Sequence, residues 1–264
     1  MNPHGVAVNL LRRTLLLVAL PIVLLTIWWV ATDSSVDPYV PPLREVFQTF
    51  PETWTGDRFM NDVVPSVVRL LVGYAFAVLF GVALGVAVGS SRSLRNTLEP
   101  VLEFFRAIPP PVLIPIVMLF AGIGDTMKVI VIISGCIWPV LLNTVEGVRA
   151  VDEVLRDTAR CYGISGRSRL RHLTLRSASP QILAGMRQAL SLAIILMVIS
   201  EMFAASNGLG FTVVQFQRGF AIPEMYTGII VLGLVGITFS LLFGLVERRA
   251  LAWYFGLRRS QRGE

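Results

Sequence analysis

Six long apolar segments alternate with polar segments along this chain of 264 residues. An apolar run of about 20 residues is the length at which an α-helix crosses the hydrocarbon core of a bilayer. The pattern therefore predicts an all-α membrane protein with six transmembrane helices. The predicted spans are residues 14–31, 66–90, 98–121, 127–148, 181–204 and 224–247.

The composition agrees with this pattern, because 54% of the residues are hydrophobic, only 15% are charged and the mean hydropathy is +0.69. Soluble domains are about 25% charged. The net charge of +6 is compatible with nucleic acid as a binding partner. The basic residues lie beside apolar segments, however, without the basic and aromatic motifs of nucleic-acid binders. A lipid bilayer, and no nucleic acid, is therefore the expected partner.

The arginine positions also predict a topology. Of the 23 Lys and Arg residues, sixteen lie in the N-terminus, the 90–96 turn, the 149–180 loop and the C-terminal tail, against four in the opposite loops. Cytoplasmic loops carry the basic excess, so residues 1–13, 149–180 and 248–264 are expected in the cytoplasm. The start of the chain also suits a secretory signal, but its apolar run is long and lacks a cleavage site, so an uncleaved helix is expected.

The third span contains Arg106 followed by three successive prolines, Pro109, Pro110 and Pro111. Proline removes a backbone donor and kinks a helix, so this span should be bent or broken. Irregular backbone at membrane depth is tolerated only against protein or a water-filled cavity. The segment is therefore a candidate part of a translocation pathway.

Polar side chains inside the fourth and fifth spans are further candidates. Asn143 and Glu201 lie within predicted spans, where a charged group is costly and usually faces a partner or a cavity. Both are predicted to line the pathway, with an internal structural pair left open for Glu201. For Glu146 and Arg187, near the span ends, an internal ion pair or contact with headgroups is the favoured interpretation.

Small residues recur at every fourth position of the second span, at Gly73, Ala77, Gly81, Gly85 and Gly89. This spacing gives one small-residue face that lets another helix approach closely. Packing within the chain is favoured over a subunit interface.

The 149–180 loop is too polar to enter the bilayer but has the pattern of two short helices. Residues 151–161 suit a helix with acidic residues at its start, and Gly163 is expected to end it. A second short helix is predicted from Ser165. Such a pair could bind DNA or a protein, and its position between spans argues against DNA.

The loop reads Asp-Thr-Ala-Arg-Cys-Tyr-Gly at 157–163 and Leu-Thr-Leu-Arg at 173–176. This pattern resembles the EAA loop of ABC-importer permeases, which reads Glu-Ala-Ala, three residues, Gly, nine residues and Ile-x-Leu-Pro. The chain departs from it at Asp157, Thr158 and Arg176, which replace Glu, Ala and Pro. Further segments are similar to permeases of the nitrate, sulfonate and taurine type. They are residues 37–50, 106–109, 122–128, 179–187, 201–210 and 246–249.

The resemblance implies a type I (MetI-like) permease in the bacterial inner membrane, with a cytoplasmic coupling helix. Two copies would pair as a homodimer, ATPase subunits would grip the EAA loops, and an extracytoplasmic solute-binding protein would deliver the solute. ATP would be bound and hydrolysed by the separate ATPase, so this chain is expected to be no enzyme and to hold no cofactor or metal. The implied ATPase-coupling residues are Asp157, Thr158, Ala159, Gly163, Arg167 and Arg169.

Within this loop, Gly163 should permit a sharp turn, and Ala159 is expected to leave room for the groove of the ATPase. An ATP-independent channel or secondary carrier is the alternative function, and a signalling or DNA-binding protein is a third. The expected solute is a sulfonate, taurine, nitrate or a related compound, with a sulfonate preferred.

Overall fold

The computed structural model describes residues 19–33, 37–203, 205–254 and 256, which form helices and turns without strands. The all-α prediction is therefore confirmed. The predicted N-terminal segment 1–13, the first residues of the span 14–31 and residues 257–264 of the tail lie outside the described residues.

Eleven helices are named here in chain order within the described ranges. They are α1 (Ala19–Thr32), α2 (Leu43–Trp54), α3 (Val64–Ser90), α4 (Arg92–Arg106), α5 (Ile114–Ala121), α6 (Asp125–Arg149), α7 (Glu153–Cys161), α8 (Gly166–Arg169), α9 (Leu175–Phe203), α10 (Leu209–Arg218) and α11 (Ile222–Ala250). A π-helical turn at Phe59–Val63 leads into α3, a 3-10 turn at Pro110–Leu113 leads into α5, and a π-helical turn at Leu170–Thr174 joins α8 to α9.

Four stretches of the described chain are long and apolar enough to cross a membrane. They contain α3, α6, α9 and α11, and the bent pair formed by α4 and α5 would be a fifth span. Of the first predicted span, only the part in α1 is described. The count of six spans therefore stays a prediction.

Three predicted boundaries differ from the structure. Arg92 and Arg95 lie in α4 and not in a 90–96 turn, because only Ser91 interrupts the chain after α3, and its hydroxyl caps the Leu94 amide at 3.3 Å. The second loop helix continues through α8 into α9, so it is not separate from the fifth span. Between the fifth and sixth predicted spans, where no helix was predicted, the chain forms the helix α10.

The described residues belong to two compact units. The larger unit covers 59–212 and 231 onward, and its core lies where α6 packs between α3 and α9. Buried side chains from these three helices, such as Leu70, Ile132 and Met197, fill that core. The polar groups discussed below belong to this unit.

The smaller unit covers the described residues of 19–58 together with 213–230. Trp54 donates its indole N–H to the Thr227 hydroxyl at 2.9 Å, and the rings of Trp28 and Tyr226 lie 5.5 Å apart. These contacts join α1 and α2 to the start of α11.

The small-residue face of α3 packs within the chain, as predicted. A Cβ added at Gly81 would lie 2.8 Å from the Val140 Cβ, and one at Gly85 would lie 2.6 Å from the Thr144 Cβ. Glycine at these positions lets the backbone of α3 lie against α6.

Candidate sites: a buried ion-pair cluster, a broken span and a loop helix

A buried ion-pair cluster joins α3, α6 and α9. Glu201 on α9 is fully buried, and Arg69 on α3 is 4% exposed. The Arg69 Nη1 donates to the Glu201 Oε1 at 2.7 Å, while its Nε donates to the Oδ1 of Asp125, the first residue of α6, at 2.8 Å. The buried ammonium of Lys128 lies 3.5 Å from the same Asp125 oxygen. One arginine therefore holds two carboxylates from two other helices.

The turn between α9 and α10 is bound to the same cluster. The Ser66 hydroxyl lies 2.8 Å from both oxygens of Glu201 and accepts the Leu209 amide at 2.8 Å. The Gly210 amide donates to the Glu201 Oε2 at 3.0 Å. Arg69 also donates to the side-chain oxygen of Asn207 at 2.6 Å. Glu201 thus receives hydrogen bonds from a hydroxyl, a guanidinium group and a main-chain amide, as a buried charge requires.

Two glycines in this turn fit the space beside Glu201. Gly208 has a φ of +119°, and a Cβ there would lie 2.5 Å from the Glu201 carboxylate carbon. A Cβ at Gly210 would lie 2.5 Å from the Val198 carbonyl oxygen. The Asn-Gly-Leu-Gly sequence therefore lets the backbone amides approach the carboxylate.

These contacts change the interpretation of Glu201. It was predicted to line the pathway, with an internal structural pair left open, and the structure shows the internal pair. Its carboxylate is enclosed by Arg69, Ser66 and the Gly210 amide of its own chain.

Sequence reasoning did not single out Ser66 or Arg69, nor Asp62, whose Oδ1 accepts the Gly208 amide at 3.0 Å. Their spacing of four and three residues places them on one face of a helix. A polar stripe on one face of an otherwise apolar segment could have identified them as a buried polar cluster.

The third predicted span is broken at its prolines. The chain bends by 81° between α4 and the Pro110–Ala121 stretch. The helical hydrogen bonds continue to the end of α4, where the Ala107 amide donates to the Glu103 carbonyl at 3.1 Å. Pro109 then adopts an extended backbone with a ψ of 123°. Pro110 packs close to Gly135 of α6. The predicted bend is confirmed.

The other polar residues of the spans are placed as follows. Arg106 is 52% exposed and pairs with Glu103 three residues earlier on α4. The Asn143 amide donates to the Pro139 carbonyl at 2.8 Å and to the Gln188 side chain at 3.3 Å. Asn143 thus bridges α6 and α9 and is half-buried.

The two remaining charges both form ion pairs within the chain, although the pair of Glu146 lies at the surface. Arg187 lies 2.6 Å from Glu247 of α11, and Glu146 lies 2.7 Å from Arg149. Arg187 also lies over the Phe243 ring.

The loop helix α7 has a cap at each end. The Asp152 side chain accepts the Val154 amide at 2.7 Å at the N-terminus. At the C-terminus, the Gly163 amide donates to the Arg160 carbonyl at 3.0 Å and the Ile164 amide donates to the Ala159 carbonyl at 2.8 Å. This is the Schellman pattern, in which a left-handed residue ends the helix. Gly163 has a φ of +65°, so the prediction that it ends this helix is confirmed.

The side chains of α7 divide between two directions. Asp157 and Thr158 are exposed, as are Arg167 and Arg169 on α8. Ala159 is only 7% exposed. It faces its own chain, so its small size serves packing there, and the expectation that it leaves room for a partner's groove stays a prediction.

A single arginine ties α7 to a membrane-spanning helix. The Arg156 Nη2 donates to the Val148 carbonyl at 2.7 Å and to the Arg149 carbonyl at 3.3 Å. These carbonyls belong to the last turn of α6, where the helix has no amide left to bind them. Movement of α7 would therefore reach α6 directly.

Known proteins resemble this chain over most of its length. Residues 77–251 match the family described as binding-protein-dependent transport system inner membrane component. The taurine transport system permease protein TauC of Escherichia coli (strain K12) is 31% identical over 92% of this chain and 91% of its own length. A putative aliphatic sulfonates transport permease protein SsuC of Bacillus subtilis (strain 168) is 27% identical over 89% of this chain and 86% of its own length.

A nitrate import permease protein, NrtB of Synechocystis, is 26% identical over 85% of both chains. Among solved structures, a chain of the MetNI methionine ABC transporter, from a study of its inward-facing conformations, has a TM-score of 0.62 and 20% identity. The structural match covers 72% of this chain and 94% of the transporter chain. At this identity the likeness shows the fold alone, and the expected MetI-like fold is confirmed.

Proposed function

We propose that the solute of this permease is a small sulfonate such as taurine. The chain belongs to the family of binding-protein-dependent transport system inner membrane components and is the permease subunit of an ATP-driven ABC importer. It is a multi-pass inner-membrane protein, and ATP is hydrolysed by a separate subunit. Its family implies ATPase and solute-binding protein partners.

The solute class is supported by the relatives. The relative named for taurine is 31% identical to this chain, and the Bacillus subtilis relative named for aliphatic sulfonates and the relative named for nitrate are 27% and 26% identical, so the taurine relative carries the preference. Arg106, half-exposed beside the break, is a cation able to bind a sulfonate oxygen once it leaves Glu103. In this proposal the pathway includes Arg106, Asn143 and the bend at Pro109, Pro110 and Pro111, while Glu201 supports the fold.

Coupling to ATP is proposed to pass through α7, and the bond from Arg156 to the end of α6 carries this proposal. Asp157, Thr158, Arg167 and Arg169 are exposed and would contact the ATPase subunit. Closure of the ATPase pair would move α7, and Arg156 would pass this movement to α6. Since α6 packs between α3 and α9, the core of the larger unit would respond.

We also propose that two copies of this permease form a homodimer and that both termini face the cytoplasm. The positions of the arginines along the chain support this orientation. In such an assembly each α7 would contact one ATPase subunit.

The test is the ATPase activity of the importer reconstituted in nanodiscs with its ATPase subunits and its solute-binding protein. Taurine or an alkanesulfonate should raise the activity, and nitrate should not. If nitrate alone stimulates, the solute class is wrong. Solute uptake into proteoliposomes that contain the permease without its ATPase subunits would favour an ATP-independent channel or carrier.

Variants of Gly163 test the coupling helix in the same assay. Gly163→Asn should retain most activity, because Asn tolerates a positive φ better than other side chains. Gly163→Val should lose coupling, since a branched side chain is strained there. Gly163→Asp keeps the size of Asn and adds a negative charge, and we expect it to abolish solute-stimulated ATPase activity, and with it ATP-coupled uptake into proteoliposomes, without unfolding the permease. Full solute-stimulated activity in Gly163→Asp would contradict the coupling role.

A further inference from the structure

A small basic cavity lies between the loop helix α7 and the ends of α3 and α6. It has a volume of about 140 Å³ and is lined by the side chains of three arginines, two from α7 and one from α8, together with groups from the neighbouring helix ends. The lining residues are Arg156, Arg160, Arg169, Ser90, Thr174, Val148 and Leu173. No carboxylate lines it within the described part of the chain.

The three guanidinium groups are incompletely neutralised. Arg160 pairs with the exposed Asp157 at 2.9 Å, and Arg156 uses one nitrogen to bind main-chain carbonyls of α6. Among the described residues, none offers the Arg169 side chain a hydrogen bond or an ion pair. Like charges that converge on one cavity repel each other, so an anion between them would be stabilised.

The position of the cavity defines the kind of anion. Ser90 is the last residue of α3, Val148 lies in the last turn of α6, and Thr174 directly precedes α9. The cavity thus lies at the level where α3 and α6 end, beside the stretch that continues from α8 into α9, and the ends of membrane-spanning helices lie at the level of the lipid headgroups. It is bounded by α7 on one side and by these helix ends on the other.

We propose that this cavity binds the phosphate of an anionic lipid headgroup. Arginine suits a phosphate because its planar group donates two parallel hydrogen bonds to neighbouring oxygens. The Ser90 and Thr174 hydroxyls are further donors. Basic sites between helix ends at the cytoplasmic surface are places where anionic headgroups bind.

The bound phosphate would fasten α7 and α8 to the ends of α3 and α6. It would act beside the Arg156 bond and would stiffen the connection through which α7 moves α6. The binding itself is independent of the proposed function, whereas this effect on coupling rests on it.

Lipid binding is tested on the full importer complex by native mass spectrometry, after exchange into phosphatidylcholine with and without phosphatidylglycerol. Wild type should retain phosphatidylglycerol in preference to phosphatidylcholine. Binding should weaken about fivefold for each arginine removed, so the double variant Arg160→Gln, Arg169→Gln should lose most of it. The matched control is Arg171→Gln, which removes a neighbouring exposed arginine that does not line the cavity and should bind as wild type does.

The double variant Arg160→Lys, Arg169→Lys controls for folding and should keep most of the phosphatidylglycerol, since it keeps the charge. Equal binding by wild type and the Gln double variant, or an equal loss in Arg171→Gln, would overturn the proposal. Inorganic phosphate is the second probe, added to the complex in phosphatidylcholine alone. If it binds to wild type while phosphatidylglycerol shows no preference, the site takes a free ion and the lipid assignment is wrong.

The two proposals fail in distinguishable ways. Phosphatidylglycerol binding is measured without ATP, so it persists if α7 does not couple to the ATPase. If both hold, phosphatidylglycerol raises solute-stimulated ATPase activity fully in wild type and in Arg171→Gln, and less in Arg160→Gln, whose arginine lines the cavity and is not proposed to contact the ATPase.

Discussion

At the scale of single residues, the Glu201 carboxylate depends on a set of donors that come from several parts of the chain. Arg69, Ser66 and the Gly210 amide all lie within 3.0 Å of its oxygens. Removing one member of a buried ion pair leaves the other charge without compensation, which is more destabilising than removing both. The cluster is therefore sensitive to single substitutions.

Glu201→Leu should lower the free energy of unfolding by about 3–5 kcal/mol, because Arg69 stays buried with only Asp125 as its anionic partner. The double variant Arg69→Leu, Glu201→Leu should recover part of this loss. Thermal unfolding of the detergent-purified permease measures both. The control is Glu103→Leu, which breaks a half-exposed pair and should change stability little. Equal losses in Glu201→Leu and Glu103→Leu would show that the cluster is not stabilising.

At the scale of elements, α3 and α6 pack through small residues of α3 against branched side chains of α6. The contact repeats every fourth residue, at Gly81 against Val140 and at Gly85 against Thr144. Apolar side chains gain nothing by leaving lipid, so close backbone approach and dispersion contacts hold such helices together. The interface is consequently sensitive to a single added methyl group.

Gly85→Ala should destabilise the permease, whereas Gly233→Ala should not. A Cβ at position 85 would lie 2.6 Å from the Thr144 Cβ and 2.8 Å from the Leu141 carbonyl oxygen, so overpacking should cost about 1–3 kcal/mol. A Cβ at position 233, in α11, meets no atom of the described residues within 4 Å. There, alanine should be neutral or stabilising because it favours the helix. Unfolding temperatures of the two variants test this, and a stabilised Gly85→Ala would contradict the packing.

The broken third span shows how much of an element the sequence could give. Three consecutive prolines predicted an interruption, since each removes a helical donor. The 81° angle and the early start of α4 at Arg92 were not predictable, because polar residues such as Arg92 and Arg95 permit a helix as readily as a turn. The position of the bend depends on the helix that it packs against, because Pro110 lies close to Gly135 of α6.

At the scale of the whole molecule, the arginine distribution predicts that α7 lies on the cytoplasmic side. The two cysteines make this testable without an introduced label site, because Cys161 is exposed at the end of α7 and Cys136 is buried in the core. A membrane-impermeant reagent can therefore report the side on which α7 lies.

A membrane-impermeant maleimide should label Cys161 in inside-out vesicles and not in right-side-out vesicles. The permease is expressed for this purpose without its ATPase subunits, which would cover α7 in the proposed assembly. Cys161→Ser should abolish the signal, and Cys136→Ser should leave it unchanged. Labelling from the outside would reverse the proposed topology.

The sequence by itself determined the helical membrane class, the interruption at the prolines and the end of α7 at Gly163. These are local properties, set by the apolar character of one segment or by the backbone freedom of one residue. The family resemblance of the loop added the importer function, which the comparisons with known proteins support.

Only the tertiary structure decided which charges pair and which side chains face inward. Arg69 and Glu201 lie 132 residues apart in the chain and meet because α3 and α9 both pack near the start of α6. Ala159 turned inward for a similar reason, since the docking of α7 on its own chain selects which of its faces is buried. Pairing across a long loop depends on how helices pack, and the periodicity of a single segment does not contain that information.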